Sequence, residues 1–115
     1  LMRGYVVYTN KAKVDCLGVK EDTLRQFGAV SAETAQEMST GVRRVSGTDY
    51  GLAVTGIAGP GGGTSQKPVG LVYISLAMEG NTRTEKYQFV GTREQIKMRA
   101  SQAALRMLWL ASRQR

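Results

Sequence analysis

One glycine-rich segment, lying between two apolar runs, most constrains the fold of this chain. Residues 55–68 hold five of the fourteen glycines and both prolines. The run before it, residues 52–54, is apolar without alternation, which predicts a short strand buried on both faces. The run after it, residues 70–78, is strongly apolar as well. Because α/β folds place ligands where a loop leaves the end of a buried strand, we expect a binding loop here.

Helical patterns lie on either side of the two apolar runs, 52–54 and 70–78, which we expect to form strands. Residues 11–17 predict a helical turn, and residues 20–27 a short helix. Ser31 offers an N-cap for a longer helix to about Val45, which Gly47 stops, and Thr92 offers an N-cap for a last helix to about Ser112. Apolar residues at spacings of three and four define the expected buried stripes, which are Ala35, Met38, Val42 and Val45 in the first, and Ile96, Ala100, Ala103, Met107 and Leu110 in the second.

Two further strands complete the pattern. Residues 5–8 are β-branched and aromatic, which predicts a short strand. Residues 84–90 alternate, with Tyr87 and Phe89 on one face, and a turn at 79–82 predicts an antiparallel hairpin with the preceding strand. The order β, α, α, α, β, loop, β, β, α indicates a single domain. We expect an α/β/α sandwich with a small mixed sheet and helices on both faces.

The absence of histidine and the single cysteine, Cys16, restrict the chemistry open to this chain. They exclude a histidine general base, a His-based triad, a Cys-cluster metal site and an internal disulfide within these residues. We therefore expect no metal and no cofactor. A lone cysteine fits a reducing cytoplasm, where we place the protein. Since no apolar run approaches the ~20 residues that span a membrane, we expect no membrane partner.

The net charge of +7 is concentrated near the C-terminus, where residues 92–115 carry six basic residues against Glu94. A nucleic-acid surface combines a basic stripe with interleaved aromatic residues. Trp109 is the only aromatic residue in this segment, so we expect no nucleic-acid partner. A solvated basic helix, or one that binds a small anion, is the interpretation that the pattern favours.

Three places in the sequence are candidates for function. The glycine-rich loop can expose backbone N–H groups to an anion or carbonyl oxygen, although a flexible surface loop is the alternative. Tyr8 and Lys13 lie near a strand end and can form a proton-transfer pair, but a solvated polar turn is the interpretation that their spacing alone favours. Arg93 and Arg99 near the start of the last helix are the candidates for binding a phosphate, but they are six residues apart and do not share one helix face. Arg93 lies near the helix N-terminus, where a phosphate and a plain surface arginine are both consistent with the sequence.

The chain resembles the CinA C-terminal domain, the nicotinamide-nucleotide amidase family. The resemblance rests on motifs that run in the family's order over essentially the whole chain. In sequence letters these motifs are YTNKAK from Tyr8, LGV from Leu17, GAVS from Gly28, TGIAGP from Thr55, KPVG from Lys67 and GTR from Gly91. It implies a bacterial cytoplasmic enzyme that hydrolyses the carboxamide of nicotinamide mononucleotide, giving nicotinate mononucleotide and ammonia in pyridine-nucleotide recycling.

The resemblance also implies site residues. Tyr8 and Lys13 match the family's catalytic tyrosine and lysine, with Thr9 in place of the usual serine. The residues that we expect to bind the nucleotide substrate are Asn10, Thr55, Gly56, Ile57, Ala58, Gly59, Pro60 and Arg93. Exposed apolar residues around positions 107–110 favour a homo-oligomer, although core packing explains them as well.

One departure from the family affects the expected activity. The family's nucleophile is a serine in a Glu-Ser-Cys-Thr-Gly-Gly-like motif, which does not occur in these 115 residues. Ser31, Ser75 and Ser101 do not replace it, since they fit a helix cap, a buried strand and a helix. We expect a missing N-terminal helix and nucleophile segment, and no turnover by these residues. The alternative is an inactive paralogue that binds a nucleotide or serves in assembly.

Overall fold

Three helices and three strands make up the part of the chain described by a computed structural model, residues 18–113. In chain order they are α1 (Glu21–Phe27), α2 (Ala32–Ser46), β1 (Gly51–Gly56), β2 (Leu71–Met78), β3 (Asn81–Gln88) and α3 (Arg93–Arg113). The strand predicted at 5–8 and the helical turn predicted at 11–17 lie outside the described residues. So do the candidate site residues Tyr8, Asn10 and Lys13.

The described strands form one antiparallel sheet in the order β1-β2-β3. Strand β1 pairs with β2 so that Val54 lies opposite Ile74. The predicted hairpin between β2 and β3 is confirmed, but its turn is shorter than expected, because Asn81 already pairs with Met78. Gly80 has a φ of 72°, which suits the left-handed conformation that a tight two-residue loop requires.

The predicted α/β/α sandwich is confirmed, with helices on both faces of the sheet. Successive side chains of a strand point to opposite faces, and the two core clusters follow this alternation. On one face Leu52, Val54, Ile74 and Leu76 pack with residues of α3. On the other face, Ala53 packs with residues of α2. Any parallel strand of a mixed sheet would have to come from outside residues 18–113, where the strands are all antiparallel.

Buried hydroxyl groups link α2 to the sheet. Ser39 Oγ lies 2.8 Å from Ser75 Oγ, which in turn lies 2.8 Å from Thr84 Oγ1. Ser39 Oγ donates its own proton to the carbonyl oxygen of Gln36. The donors along this chain therefore run from Thr84 to Ser75 to Ser39, so the fully buried Ser75 both accepts and donates.

The helix ends predicted from the sequence are confirmed. Ser31 caps α2, because its Oγ accepts a hydrogen bond from the Thr34 N–H. Gly47 ends α2 with a φ of 65°, a left-handed conformation that glycine adopts readily. Thr92 and Gln95 form a reciprocal capping box at the start of α3, since each side chain accepts a hydrogen bond from the backbone N–H of the other.

The predicted buried stripes are correct in most positions and wrong in three. Val45 is 61% exposed and Leu110 is 39% exposed, and Ala103 is half-buried whereas its neighbour Ala104 is buried. Val45 lies in the last turn of α2, just before the chain turns at Gly47. In α3 the buried stripe runs Ile96, Ala100, Ala104 and Met107, and its first two steps, of four residues each, rotate the contact away from Leu110.

Candidate functional site

A cavity of about 380 Å³ lies where the end of β1 meets the first turns of α3. Strand β1 contributes Val54, Thr55 and Gly56, and the segment between α1 and α2 contributes Ala29 and Val30. The antiparallel register places the start of β2 beside the end of β1, so Val72 also lines the space. We refer to this space as the β1 cavity.

The β1 cavity has an apolar part and a cationic part. Its apolar wall includes Ala58 and Ile96, and its cations are Arg93 and Lys97. These two basic residues are four apart on α3 and therefore lie on the same face of the helix. Within residues 18–113, neither Arg93 nor Lys97 forms an ion pair with a carboxylate. The cavity can therefore hold a ligand that combines a flat apolar group with an anion.

Arg93 also connects α3 to the glycine-rich loop. Its Nη1 donates a hydrogen bond of 3.1 Å to the carbonyl oxygen of Gly59. A guanidinium has five N–H donors in a rigid fork, so this bond leaves others for a ligand. The arginine thus both holds the loop and carries charge at the cavity.

The glycine-rich loop is tied down by backbone hydrogen bonds. Ile57 donates to the carbonyl oxygen of Leu71 at 2.9 Å and accepts from the N–H of Gly70 at 2.7 Å. Thr64 and Lys67 close a turn farther along, in which Thr64 donates to the Lys67 carbonyl oxygen at 2.8 Å. These contacts argue against the flexible-loop alternative. They also commit the Ile57 N–H, which is therefore not a donor to a ligand.

Two glycines in this loop are required by the packing around them. A Cβ on Gly56 would lie 2.7 Å from Cγ2 of Val72 and 2.9 Å from the Leu71 carbonyl oxygen. Gly59 has a φ of 79°, and a Cβ there would lie 2.5 Å from Cγ1 of Val69. Backbone and side chains would have to shift to admit any larger residue, so both glycines keep the loop close to the strand.

Thr55 anchors the opposite wall of the cavity. Its Oγ1 donates a hydrogen bond of 2.7 Å to the carbonyl oxygen of Ala29. The preceding carbonyl, that of Gly28, accepts from the hydroxyls of both Ser31 and Thr34. The segment between α1 and α2 is thereby held against the end of β1.

The structure brings some of the predicted site residues together. Thr55, Gly56, Ala58 and Arg93 line the β1 cavity. Ile57, Gly59 and Pro60 belong to the same loop without lining the cavity, and Gly59 reaches it through the bond to Arg93. The roles of these residues as a substrate site remain predictions.

Sequence reasoning missed several lining residues. Ala29 and Val30 belong to the GAVS motif, one of the motifs that carry the family resemblance, and that motif was the sequence signal that could have identified them as lining residues. Lys97 could have been found from its position four residues after Arg93, on the same helix face. Arg99, the other candidate for binding a phosphate, lies on the opposite flank of α3 beside β3.

Residues 18–113 contain neither a metal-binding cluster nor a membrane-spanning helix. No group of three or more side chains of the metal-binding types comes together there. No helix in that range is long and apolar enough to cross a membrane.

Comparison with known sequences identifies a family. The family model of the CinA C-terminal domain matches residues 1–111. A CinA-like protein from Kosmotoga olearia is 55% identical over 104 residues, which are 90% of this chain and 25% of that protein. The chain thus spans about a quarter of the length of the curated relatives that it matches.

Solved structures support the same relationship. Competence/damage inducible protein CihA from Agrobacterium tumefaciens is 43% identical, with a TM-score of 0.89 over 95% of this chain and 67% of that one. A competence-damaged protein (CinA) superfamily protein from Escherichia coli is 34% identical, with a TM-score of 0.83 over 88% of this chain and 59% of that one. The chain therefore belongs to the CinA C-terminal domain family.

Proposed function

We propose that this chain forms the substrate-binding part of an amidase that converts nicotinamide mononucleotide to nicotinate mononucleotide and ammonia. The observation that carries the proposal is the β1 cavity, in which an apolar wall at a strand end faces Arg93 and Lys97. Family membership supports the proposal, since the whole chain resembles amidases of this kind.

The shape and charge of the cavity suit this nucleotide. Its volume of about 380 Å³ lies within the range of small-ligand sites. In this proposal the flat nicotinamide ring lies against the apolar wall that includes Val54, Val72 and Ile96, whereas the phosphate monoester needs cations. Arg93 and Lys97 supply those cations on one face of α3. We therefore place the phosphate at α3 and the ring toward the sheet.

The proposed reaction is an acyl transfer through a serine. The serine that the family carries in its Glu-Ser-Cys-Thr-Gly-Gly-like motif attacks the carboxamide carbon, and neutral Lys13 takes its proton while Tyr8 orients or relays it. The tetrahedral intermediate then collapses, the C–N bond breaks, and the amide nitrogen takes the serine proton back from Lys13 and leaves as ammonia. Water hydrolyses the acyl-serine ester to release the acid. Both Tyr8 and Lys13 lie outside the described residues.

Backbone N–H groups of the loop from Gly56 to Gly59 are the proposed oxyanion donors, each lowering the barrier by a few kcal/mol. The Ile57 N–H is excluded because it already bonds to Leu71. Ala58 lines the β1 cavity, so the backbone N–H of Ala58 or of Gly59 is the better placed candidate for the oxyanion donor. Assembly into a homo-oligomer and a cytoplasmic location remain further predictions.

The test uses a protein that carries both this chain and the family's serine motif. We expect ammonia release from nicotinamide mononucleotide, and loss of that release when Lys13 is changed to alanine. The present 115 residues should bind the nucleotide without turning it over. If the longer protein binds the nucleotide and releases no ammonia, the chain is a nucleotide-binding module and not part of an amidase. Full activity of Lys13→Ala would remove the proposed role of the lysine.

A further inference from the structure

A second concave surface lies on the other flank of α3, between that helix and β3. This groove of about 470 Å³ is lined from the strand by Arg83, Glu85, Tyr87 and Phe89. The helix contributes Arg99, Gln102, Arg106 and Leu110, among others. None of its lining residues also lines the β1 cavity. We refer to it as the β3–α3 groove.

The strand side of the groove presents two aromatic rings. Tyr87 and Phe89 are two residues apart and so point to the same face of the sheet. Their ring centroids lie 5.3 Å apart with an angle of 10° between the planes, which is a stacked arrangement. Both side chains are half-buried, so part of each ring is open to a third planar group.

The charge of the groove is positive. It contains three arginines and one carboxylate, and that carboxylate, Glu85, lies 3.4 Å from Arg83. Within residues 18–113, Arg99 and Arg106 form no ion pair. They are seven residues apart, two helical turns, and so project from the same side of α3. The groove therefore carries an excess of about two positive charges, which balances the two negative charges of one phosphate monoester dianion.

The hydroxyl of Tyr87 interacts electrostatically with the charged side chains of the groove. Burial and the nearby Glu85 raise the pKa of Tyr87, while Arg83 and Arg106 act in the opposite direction. The phenol is therefore protonated at neutral pH and can donate a hydrogen bond to an anion or a carbonyl oxygen. Arg106 also lies close enough to the ring to act together with it on one ligand.

We propose that the β3–α3 groove is a second nucleotide site, which binds a nucleoside monophosphate with its base on the Tyr87 and Phe89 rings and its phosphate on Arg99 and Arg106. Base stacking on aromatic side chains and arginine contacts to phosphate are the general means by which proteins hold such ligands. A carboxylate inside the groove and only two excess charges favour one phosphate over a continuous strand. The proposal is independent of the amidase function, because the two sites share no residue.

The test is a titration of the full 115-residue chain with adenosine monophosphate at low salt, followed by two-dimensional amide NMR spectra and calorimetry. We expect saturable shifts at the amides of β3 and of the middle of α3. The double variant Arg99→Gln/Arg106→Gln should weaken binding about tenfold or more, since hydrogen bonds to charged groups are lost. Tyr87→Leu should weaken binding less, and adenosine should bind more weakly than its phosphate.

Two matched variants locate the effect. Lys20→Gln/Lys86→Gln removes the same charge from exposed positions outside the groove and should leave affinity unchanged. Arg93→Gln/Lys97→Gln alters the β1 cavity and should leave the shifts at β3 intact, even if the amidase proposal fails. Because all these side chains are exposed, well-dispersed amide spectra should confirm that each variant is folded.

Four outcomes would overturn the proposal. The first three are amide shifts confined to the β1 cavity, equal affinity for adenosine and adenosine monophosphate, and no saturable amide shift at millimolar adenosine monophosphate. The fourth is much tighter binding of an oligothymidylate of about eight nucleotides than of adenosine monophosphate, which would indicate a single-stranded nucleic-acid surface instead.

Discussion

The guanidinium of Arg93 donates a hydrogen bond to the carbonyl oxygen of Gly59, with 3.1 Å between Nη1 and O. This bond joins the first turn of α3 to the glycine-rich loop at the edge of the β1 cavity. It places a permanent cation beside an apolar wall, and so gives the cavity its two chemical parts. The first prediction concerns this residue.

Changing Arg93 to glutamine should weaken the binding of nicotinamide mononucleotide about tenfold or more, because a charged hydrogen bond to phosphate is lost. Calorimetry with the 115-residue chain measures the change. Nicotinamide riboside, which has no phosphate, should bind the wild type and the variant with similar affinity. The matched control is Lys86→Gln, since Lys86 is exposed on β3 and lines neither the β1 cavity nor the β3–α3 groove. Equal losses for both ligands would show that Arg93 acts by holding the loop and does not bind the phosphate.

Gly59 and Gly61 should respond differently to alanine. Gly59 has a φ of 79° and its added Cβ would meet Val69 at 2.5 Å, whereas nothing lies within 4 Å of a Cβ at Gly61. We expect Gly59→Ala to lower the free energy of unfolding by about 1–3 kcal/mol, the usual cost of a left-handed non-glycine residue. Gly61→Ala should leave stability unchanged or raise it by up to about 1 kcal/mol. Urea unfolding measures both, and equal losses would contradict this account of the loop.

Features set by neighbouring residues were predictable from the sequence. The caps at Ser31 and Thr92 and the end of α2 at Gly47 depend on side chains within one helical turn, and all three were found as expected. The binding loop was also predictable as a loop, because glycine and proline concentrate in it.

Features that depend on distant contacts were not predictable in the same way. Ile96 and Ala100 became lining residues of the β1 cavity only through the placement of α3 beside β1. In the sequence, Trp109 is the only aromatic residue of the basic segment 92–115. The fold adds a second aromatic side chain to the basic surface, because it brings Tyr87 of β3 next to Arg106 of α3. Periodicity alone does not say which strand lies against a helix, and it therefore misplaced Val45 and Leu110 in the core.

The buried hydroxyl chain gives a stability prediction. Ser75 is fully buried and bonds to both Ser39 and Thr84 at 2.8 Å. Changing Ser75 to alanine removes a partner from each of them, so we expect the free energy of unfolding to fall by about 1–3 kcal/mol. The control is Ser65→Ala in the exposed loop, which should change stability by less than about 0.5 kcal/mol. Similar unfolding midpoints for the two variants would argue against a structural role for the hydroxyl chain.

Tyr87 should make stability depend on pH in the alkaline range. Burial, followed by the charge of Glu85, raises the pKa of its phenol above the ordinary value of 10.0. The folded chain therefore keeps this proton to higher pH than the unfolded chain, which releases it near 10.0. The stabilisation linked to this proton is fully present below that pH and is lost as pH rises through the folded pKa.

Tyr87→Phe removes this titration while keeping the ring, so its free energy of unfolding should decrease less steeply than that of wild type between neutral pH and about pH 11. All other ionisable groups are common to the two proteins, so their contributions cancel in the comparison. Urea unfolding at a series of pH values provides the measurement, and tyrosinate absorbance reports the phenol directly. Parallel stability curves for the two proteins would mean that the phenol titrates alike in the folded and unfolded chains. A steeper decrease in the variant would reverse the sign that we assign to the shift.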